Sequence, residues 1–288
     1  MSFDTEVAIV GAGAAGITLA RRLVAANIDV CLLESGGQDY EQPVQDLAHG
    51  ESIGFPYYEL AESRLRFFGG TTAIWGGRSA ELDPIDFEHR PWVAHSGWPL
   101  DKEALKPYYD QASALLDLPT NRTPPGDDQS AFGHKLALDR TLLETSSWQF
   151  DEQFERFGLG RCADLAASPN IRILLHATVT RIVVNASANA VEALEVTNLT
   201  GGKGTVRAKT FVLAAGGIET PRLMLASSDR LPNGVGNQHD LVGRFFTEHP
   251  RARGAQVVFD KIWPLVQAMP RLRRVNGRLQ ASLLRGAS

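Results

Sequence analysis

The stretch Val7-Ala8-Ile9-Val10-Gly11-Ala12-Gly13-Ala14-Ala15-Gly16 constrains the fold more than any other part of the chain. Four apolar residues run directly into G-x-G-x-x-G, and an amphipathic run with Leu19, Ala20, Leu23, Val24 and Ala25 follows. Ile28-Asp29-Val30-Cys31-Leu32-Leu33-Glu34 then reads as a second strand closed by an acid. Strand, glycine turn, helix, strand, acid is the order of a dinucleotide-binding βαβ unit. In that reading Gly11 makes the tight turn, Gly13 lets backbone N–H groups approach a pyrophosphate, and Gly16 lets the helix pack closely on the strand. The helix N-terminus adds a partial positive charge, worth roughly 0.3–2 kcal/mol per favourable anion contact. Glu34 is placed to accept both hydroxyls of an adenosine ribose, a charge-assisted bond of about 1.5–3 kcal/mol. The same carboxylate would repel a 2′-phosphate, which disfavours NADP. The unit by itself leaves NAD and FAD both open.

With 288 residues, 43% hydrophobic and 22% charged, the chain has the composition of an ordinary soluble globular protein, and its length suggests about two domains. A net charge of −4 gives no basic footprint for nucleic acid. Two cysteines, Cys31 and Cys162, make no disulfide framework, and Cys31 reads as a small buried hydrophobe in the second strand. No run approaches transmembrane length, and a first strand beginning by residue 7 leaves no room for a signal peptide. The expected location is cytoplasmic. From Lys261 to Ser288 there are six Lys or Arg and no acid. A membrane or nucleic-acid contact is one reading of that bias; the favoured one is an element whose acidic partners lie elsewhere.

After Glu34, Ser35-Gly36-Gly37 is a loop, and residues 38–63 show no sustained period, as expected of extended chain over a surface or ligand. Arg64-Leu65-Arg66-Phe67-Phe68-Gly69-Gly70-Thr71-Thr72-Ala73-Ile74-Trp75-Gly76-Gly77-Arg78 follows. Its two Gly-Gly pairs bracket small hydroxylated residues and one indole, which makes a poor core and a good ligand-facing loop. The alternative is a pair of tight turns around a buried Trp75. Residues 79–100 are punctuated by prolines. Asp101 is placed to cap a helix with apolar positions Leu105, Tyr108, Tyr109, Ala112, Leu115 and Leu116. A polar loop (Asn121–Ser130) and a helical patch (Lys135–Leu143) come next. Short strands at Ile171–Leu175, Ala177–Val184, Val191–Thr197 and Thr205–Lys209 form a meander that feeds a buried strand, Thr210–Gly217. Pro221 suits the first turn of a helix continuing through Arg222–Ala226. A nicotinamide domain usually continues with further crossovers. A meander returning into a strand that ends Ala214-Ala215-Gly216-Gly217 is instead the habit of FAD domains.

On these residues the chain resembles the FAD-binding half of the glucose–methanol–choline oxidoreductases, from Val7 to about Pro250. Four motifs carry the resemblance: VAIVGAGAAG with Glu34; FGGTTAIWGGR at 68–78, continued by Leu82-Asp83-Pro84-Ile85-Asp86-Phe87; VLAAGGIETPRLML at 212–225; and Asp240–Pro250. The resemblance implies an α/β fold: an FAD-binding, Rossmann-like parallel sheet with helices on one face and a β-meander on the other, plus a partial substrate domain. Residues 1–80 and 166–250 would form the two parts of the FAD domain, 81–165 a loop-rich and helical insertion, and 251–288 the start of a truncated substrate domain, with one strand near Arg253–Phe259 and no strong fold signal in the basic remainder. Gly11, Gly13, Ala14 and Ala15 would line the pyrophosphate, with Gly16 in the same turn. Glu34, followed by Ser35, would hold the adenosine ribose. Gly69, Gly70, Thr71, Thr72, Trp75 and Gly76 would run beside the ribityl chain and flavin ring. Val179 would meet adenine through its backbone, and Ala214, Ala215 and Gly216 would close over the adenosine.

Two departures from the family pattern matter. Where some relatives carry a histidine that bonds covalently to flavin, this chain has Ile74, so non-covalent FAD is expected. The family's catalytic histidine and its partner lie near the end of longer chains, in a segment expected to be missing here. His49, His89, His95, His134, His176, His239 and His249 carry no mark of a catalytic role, no spacing suits a metal, and no G-x-S-x-G elbow is present. The expected activity is oxidation of an alcohol or sugar CH–OH group by hydride transfer to flavin, with a small-molecule substrate and no nucleic-acid partner. The alternative is a non-catalytic flavin-binding remnant, or one subunit of a split enzyme completed by a separate C-terminal chain.

Overall fold

The computed structural model describes residues 2–119, 139, 141–153, 155–249, 258, 261, 263, 273–275 and 278–286. The strands in chain order are β1 (Ser2–Val10), β2 (Val30–Leu33), β3 (Arg78–Ser79), β4 (Leu143–Phe150), β5 (Ile171–Leu174), β6 (Thr178–Val184), β7 (Val191–Thr197), β8 (Lys203–Leu213), β9 (Arg273–Val275) and β10 (Arg278–Gly286). The α-helices are α1 (Ala14–Ala25), α2 (Gln42–Gln45), α3 (Pro84–Phe87), α4 (Lys102–Leu115), α5 (Ala163–Ala166) and α6 (Gly216–Ala226). They fall into two compact units, Met1–Ile74 with Glu155–Arg251, and Trp75–Phe154 with Ala252–Ser288.

The first unit is built on one six-stranded sheet, ordered β5-β2-β1-β8-β7-β6. The first four strands are parallel, and β7 and β6 are antiparallel. β2 is buried along its whole length, as a strand covered on both faces must be. Because side chains alternate across a strand, the two faces separate by parity. Ile9 points towards α1, where a Cβ built on Gly16 would stand 3.4 Å from the Ile9 side chain. Ala8, Val10, Cys31 and Leu33 belong to the opposite face, in one core cluster with Val179 and Ile182 of β6, Leu194 and Val196 of β7, Val206 of β8 and Leu223 of α6. Helix lies on one face and meander on the other, as the sequence implies. Burial pushes the Cys31 thiol up to about 12, which leaves it an inert core residue.

Two details depart from the sequence reading. The stretches expected as separate strands at 205–209 and 210–217 are one strand, β8, whose first half pairs with β7 while its whole length from Thr205 pairs with β1. α6 begins at Gly216, so Pro221 stands inside the helix rather than in its first turn. Gly216 has φ +83, a left-handed step that turns the chain straight from the sheet into the helix.

The second unit contains an antiparallel sheet, β3-β4-β10-β9. β10 lies in the basic remainder, where the sequence carries no strong fold signal, and its ladder with β4 runs from Gln280↔Gln149 to Gly286↔Leu143. α4 is capped as expected, with the Asp101 carboxylate accepting the Ala104 N–H at 2.9 Å. Its inward stripe is Leu105, Tyr109, Ser113 and Leu116, whereas Tyr108 and Ala112 face outward. The Arg78 guanidinium stacks 4.3 Å from the Trp148 ring centre. The polar loop expected over Asn121–Ser130 lies outside the described residues, as do most of the helical patch at Lys135–Leu143 and of the strand near Arg253–Phe259. Among the described residues no helix is long and apolar enough to cross a membrane.

Candidate cofactor site

Parallel pairing of β1 and β8 puts their carboxyl ends side by side, the edge at which open α/β sheets take ligands. Both ends break into glycine turns there. Gly11, at φ +102, donates its N–H to the Leu33 carbonyl at 2.8 Å, and a Cβ on it would stand 2.7 Å from the Ala214 carbonyl oxygen. The Ala214 N–H in turn reaches the Val10 carbonyl at 2.8 Å. A Cβ on Gly16 would lie 2.0 Å from the Gly11 carbonyl oxygen, so α1 can start this close to β1 only on glycine. The Gly-Gly loop is drawn to the same place: Gly69 donates to the Ala12 carbonyl at 2.7 Å.

These segments enclose a cavity of about 560 Å³. It is lined by Gly11, Gly13, Ala14, Ala15, Glu34, Ser35, Gly69, Gly70, Thr71, Thr72, Val179, Ala214, Ala215 and Gly216, all picked from the sequence. Gly16 does not line it; it is buried behind the turn and serves packing. Trp75 and Gly76 belong to the second unit and are not among the lining residues. Gly76 and Gly77 both have positive φ and lead the chain into β3, and Gly77 packs so closely on the Asp151 backbone that a Cβ would come within 2.0 Å of the Asp151 carbonyl oxygen.

Two helix N-termini face the cavity. α1 starts after Gly13 and α6 after Ala215, neither with a side-chain cap. The first turn of a helix leaves N–H groups without intrahelical partners and carries partial positive charge. A Cβ built on Gly13, Gly216 or Gly217 would stand in open space, so at these points bare backbone faces the cavity.

Glu34 is only 7% exposed. Its Oε2 accepts the Ala12 N–H and its Oε1 the Gly36 N–H, both at 3.0 Å. Burial raises its carboxyl above the ordinary range; the two N–H donors and the nearby Arg66 charge act against that rise. The carboxylate braces the first glycine turn from below.

Arg64, Arg66, Glu219 and Arg222 are among the lining residues that escaped the sequence reading. Glu219, in the first turn of α6, accepts from Arg64 Nε at 2.9 Å and Arg222 Nε at 2.7 Å, and forms an ion pair with Arg66 Nη2 at 2.7 Å. Burial opposes its ionisation, but the three guanidiniums outweigh burial and bring the Glu219 carboxyl down to about 2. Arg66 also donates to Ser35 Oγ at 3.1 Å. The available signals were Arg64-x-Arg66 just ahead of a glycine pair, and the i,i+3 pair Glu219/Arg222 on a helix. At the rim, the Tyr57 hydroxyl donates to Glu248 Oε1 at 2.9 Å, and its ring meets Phe246 edge-on at 5.5 Å.

Among the described residues no histidine lines the cavity, and no group of His, Cys, Asp or Glu suits a metal ion. His176, expected at a strand start, sits at φ +51 in the turn before β6 and pairs with Glu41 at 2.7 Å. His134 lies outside the described residues.

Comparison with known proteins agrees with this geometry. The chain is 25% identical over 321 residues to the fructose dehydrogenase large subunit of Gluconobacter japonicus, covering 86% of this chain and 59% of that protein. It is 27% identical to the paromamine 6′-oxidase of Streptomyces fradiae over 84% of this chain and 53% of that one. It thus spans between half and three-fifths of these curated relatives. A fungal aryl-alcohol oxidase structure, 15% identical, superposes with a TM-score of 0.50 over 78% of this chain and 48% of its own, which supports the fold alone. The family of FAD-dependent oxidoreductases matches residues 6–242, which bears out the resemblance drawn from the four motifs. The chain belongs to the FAD-dependent oxidoreductase family.

Proposed function

We propose that this chain is the FAD-holding part of an oxidoreductase that acts on a CH–OH group of an alcohol or sugar. The observation that carries the reading is that two glycine turns, some two hundred positions apart in sequence, line one cavity together with two uncapped helix N-termini. FAD fits the residues present. Bare glycine backbone faces the open cavity at Gly13, Gly216 and Gly217, and the helix N-termini supply N–H donors suited to a pyrophosphate. Each Glu34 oxygen gives one lone pair to a backbone N–H, and the remaining lone pairs are the acceptors for the two adenosine ribose hydroxyls. Val179, Ala214, Ala215 and Gly216 then flank the adenosine, and Gly69 to Thr72 run beside the ribityl chain.

When bound, FAD supplies the two-electron acceptor for hydride from the carbinol carbon. The chain's own residues bind and orient that group. Proton transfer from the substrate hydroxyl is assigned to none of them, because no described histidine lines the cavity. Ile74 offers no nucleophilic atom, which supports FAD held without a covalent bond. The relatives' names support the substrate class: a fructose dehydrogenase, a 2-methyl-1,2-propanediol dehydrogenase and a paromamine 6′-oxidase. One of them is a large subunit, which supports a partner chain here too. Two free, buried cysteines support a cytoplasmic setting.

Titration of the 288-residue chain with FAD tests the reading. Saturation at one flavin per chain is expected, with all the flavin released by acid precipitation. A chain that binds NADH and not FAD would refute the assignment. Bound flavin that no alcohol or sugar reduces, alone or with a partner chain, would favour a non-catalytic flavin protein.

A further inference from the structure

Arg64, Arg66 and Arg222 converge on the single carboxylate of Glu219 in the wall of the cavity. Three guanidiniums against one carboxylate leave two positive charges. The other two carboxylates lining the cavity have their own hydrogen-bond donors, Glu34 the Ala12 and Gly36 N–H groups and Glu248 the Tyr57 hydroxyl, and of the two Glu34 also lies near enough to feel the Arg66 charge. The Arg66 side chain is only 9% exposed. Its Nη1 donates to Ser35 Oγ and its Nη2 is in an ion pair with Glu219, while its Nε is buried without any hydrogen-bond partner. A nine-tenths-buried cation that shares its carboxylate is costly unless further counter-charge arrives. Glu219 cannot be that counter-charge in full, because it is shared three ways.

We propose that Arg66, oriented by Glu219 and Ser35 and reinforced by Arg64 and Arg222, is an anion-reading side chain of the cofactor cavity, and that the group it recognises is a phosphate of the bound dinucleotide. The inference rests on the FAD reading and deepens it. The surplus of positive charge in the cluster suits the negative charge of a pyrophosphate diester. A planar guanidinium makes directed contacts to phosphate that the weak field of a helix terminus does not. Selection for a dinucleotide over riboflavin follows, since riboflavin brings no phosphate to the cluster.

The test is a fluorescence titration of the full chain and of the Arg66→Gln and Arg66→Lys variants with FAD, with inorganic pyrophosphate as competitor and urea unfolding of each ligand-free protein as the control for folding. Losing one charge-assisted contact should weaken FAD binding about 10- to 150-fold in Arg66→Gln. Arg66→Lys, which keeps the charge and loses the fork, should recover part of the affinity. Pyrophosphate should displace FAD from wild type at far lower concentration than from Arg66→Gln. If Arg66→Gln unfolds in place of binding, the pyrophosphate competition on wild type decides, and failure of pyrophosphate to compete overturns the proposal. A folded Arg66→Gln that binds FAD as wild type does also overturns it while leaving the FAD reading intact. Wild type that binds no FAD overturns both.

Discussion

Truncation of Glu34 separates two roles that the sequence merges into one. Its carboxylate meets the Ala12 and Gly36 N–H groups at 3.0 Å each, at a site that is almost fully buried. Glu34→Ala orphans both donors. A buried N–H left without a partner costs about 1–3 kcal/mol, so the pair costs about 2–6 kcal/mol. Relief of the buried carboxylate offsets part of that, which leaves an expected loss of about 2–4 kcal/mol in the ligand-free chain. Glu34→Gln keeps the shape and one acceptor oxygen, and turns an amide NH₂ towards the other donor. It should lose about half as much, roughly 1–2 kcal/mol. The assay is urea unfolding followed by far-UV circular dichroism, which reads the helices and sheet of the first unit directly; all five tryptophans lie in the second unit. Both variants should also lose FAD affinity by about 10- to 150-fold if the ribose contact is made. A ligand-free Glu34→Ala as stable as wild type would refute the bracing role. A Glu34→Gln that binds FAD undiminished would refute the ribose contact and leave the bracing role standing.

Glu219 predicts an acid limb. Its folded carboxyl titrates at about 2 against an ordinary 4.5, so its contribution to stability is complete above about pH 4.5 and is lost as pH falls through 2. The difference corresponds to about 3 kcal/mol, which circular dichroism between pH 5 and 2 should show for wild type and not for Glu219→Gln. Gly16→Ala should destabilise the first unit by about 1–3 kcal/mol or more, measured by urea midpoint, because its Cβ would lie 2.0 Å from the Gly11 carbonyl oxygen with only backbone on either side; an unchanged midpoint would contradict that packing. Ser227→Ala removes the hydroxyl that accepts the Ile182 N–H at 2.9 Å and donates to the Leu223 carbonyl at 2.7 Å. Faster amide exchange at Ile182 and a loss of about 1–3 kcal/mol are expected.

The parts of the fold that were legible in the sequence share one property: each is specified locally. β1, α1 and β2 are written in an apolar run, a glycine turn and a 3.6-residue stripe, and β7 is bounded by turn residues on both sides, so its ends at Val191 and Thr197 fall where expected. The second unit was harder because its sheet is long-range. β4, Leu143–Phe150, carries Glu144, Thr145, Ser146 and Ser147, a polar run with no alternation to betray a strand, and it is held by pairing with β10 more than one hundred residues on. The arginine cluster was missed for a similar reason. Arg64 and Arg66 look like solvated charges beside a glycine pair, and only the fold brings Glu219, more than 150 residues on, against them. Trp75 and Gly76 were set beside the flavin by the resemblance carried by FGGTTAIWGGR. They fall in the second unit, where two successive positive-φ glycines at 76 and 77 lead the chain into β3.

A crystal structure of the 288-residue chain grown with FAD tests the central claim most directly. The account predicts one dinucleotide in continuous density, in contact with backbone at both Gly13 and Gly216. Density that touches one turn and leaves the other against side chains or solvent would contradict it.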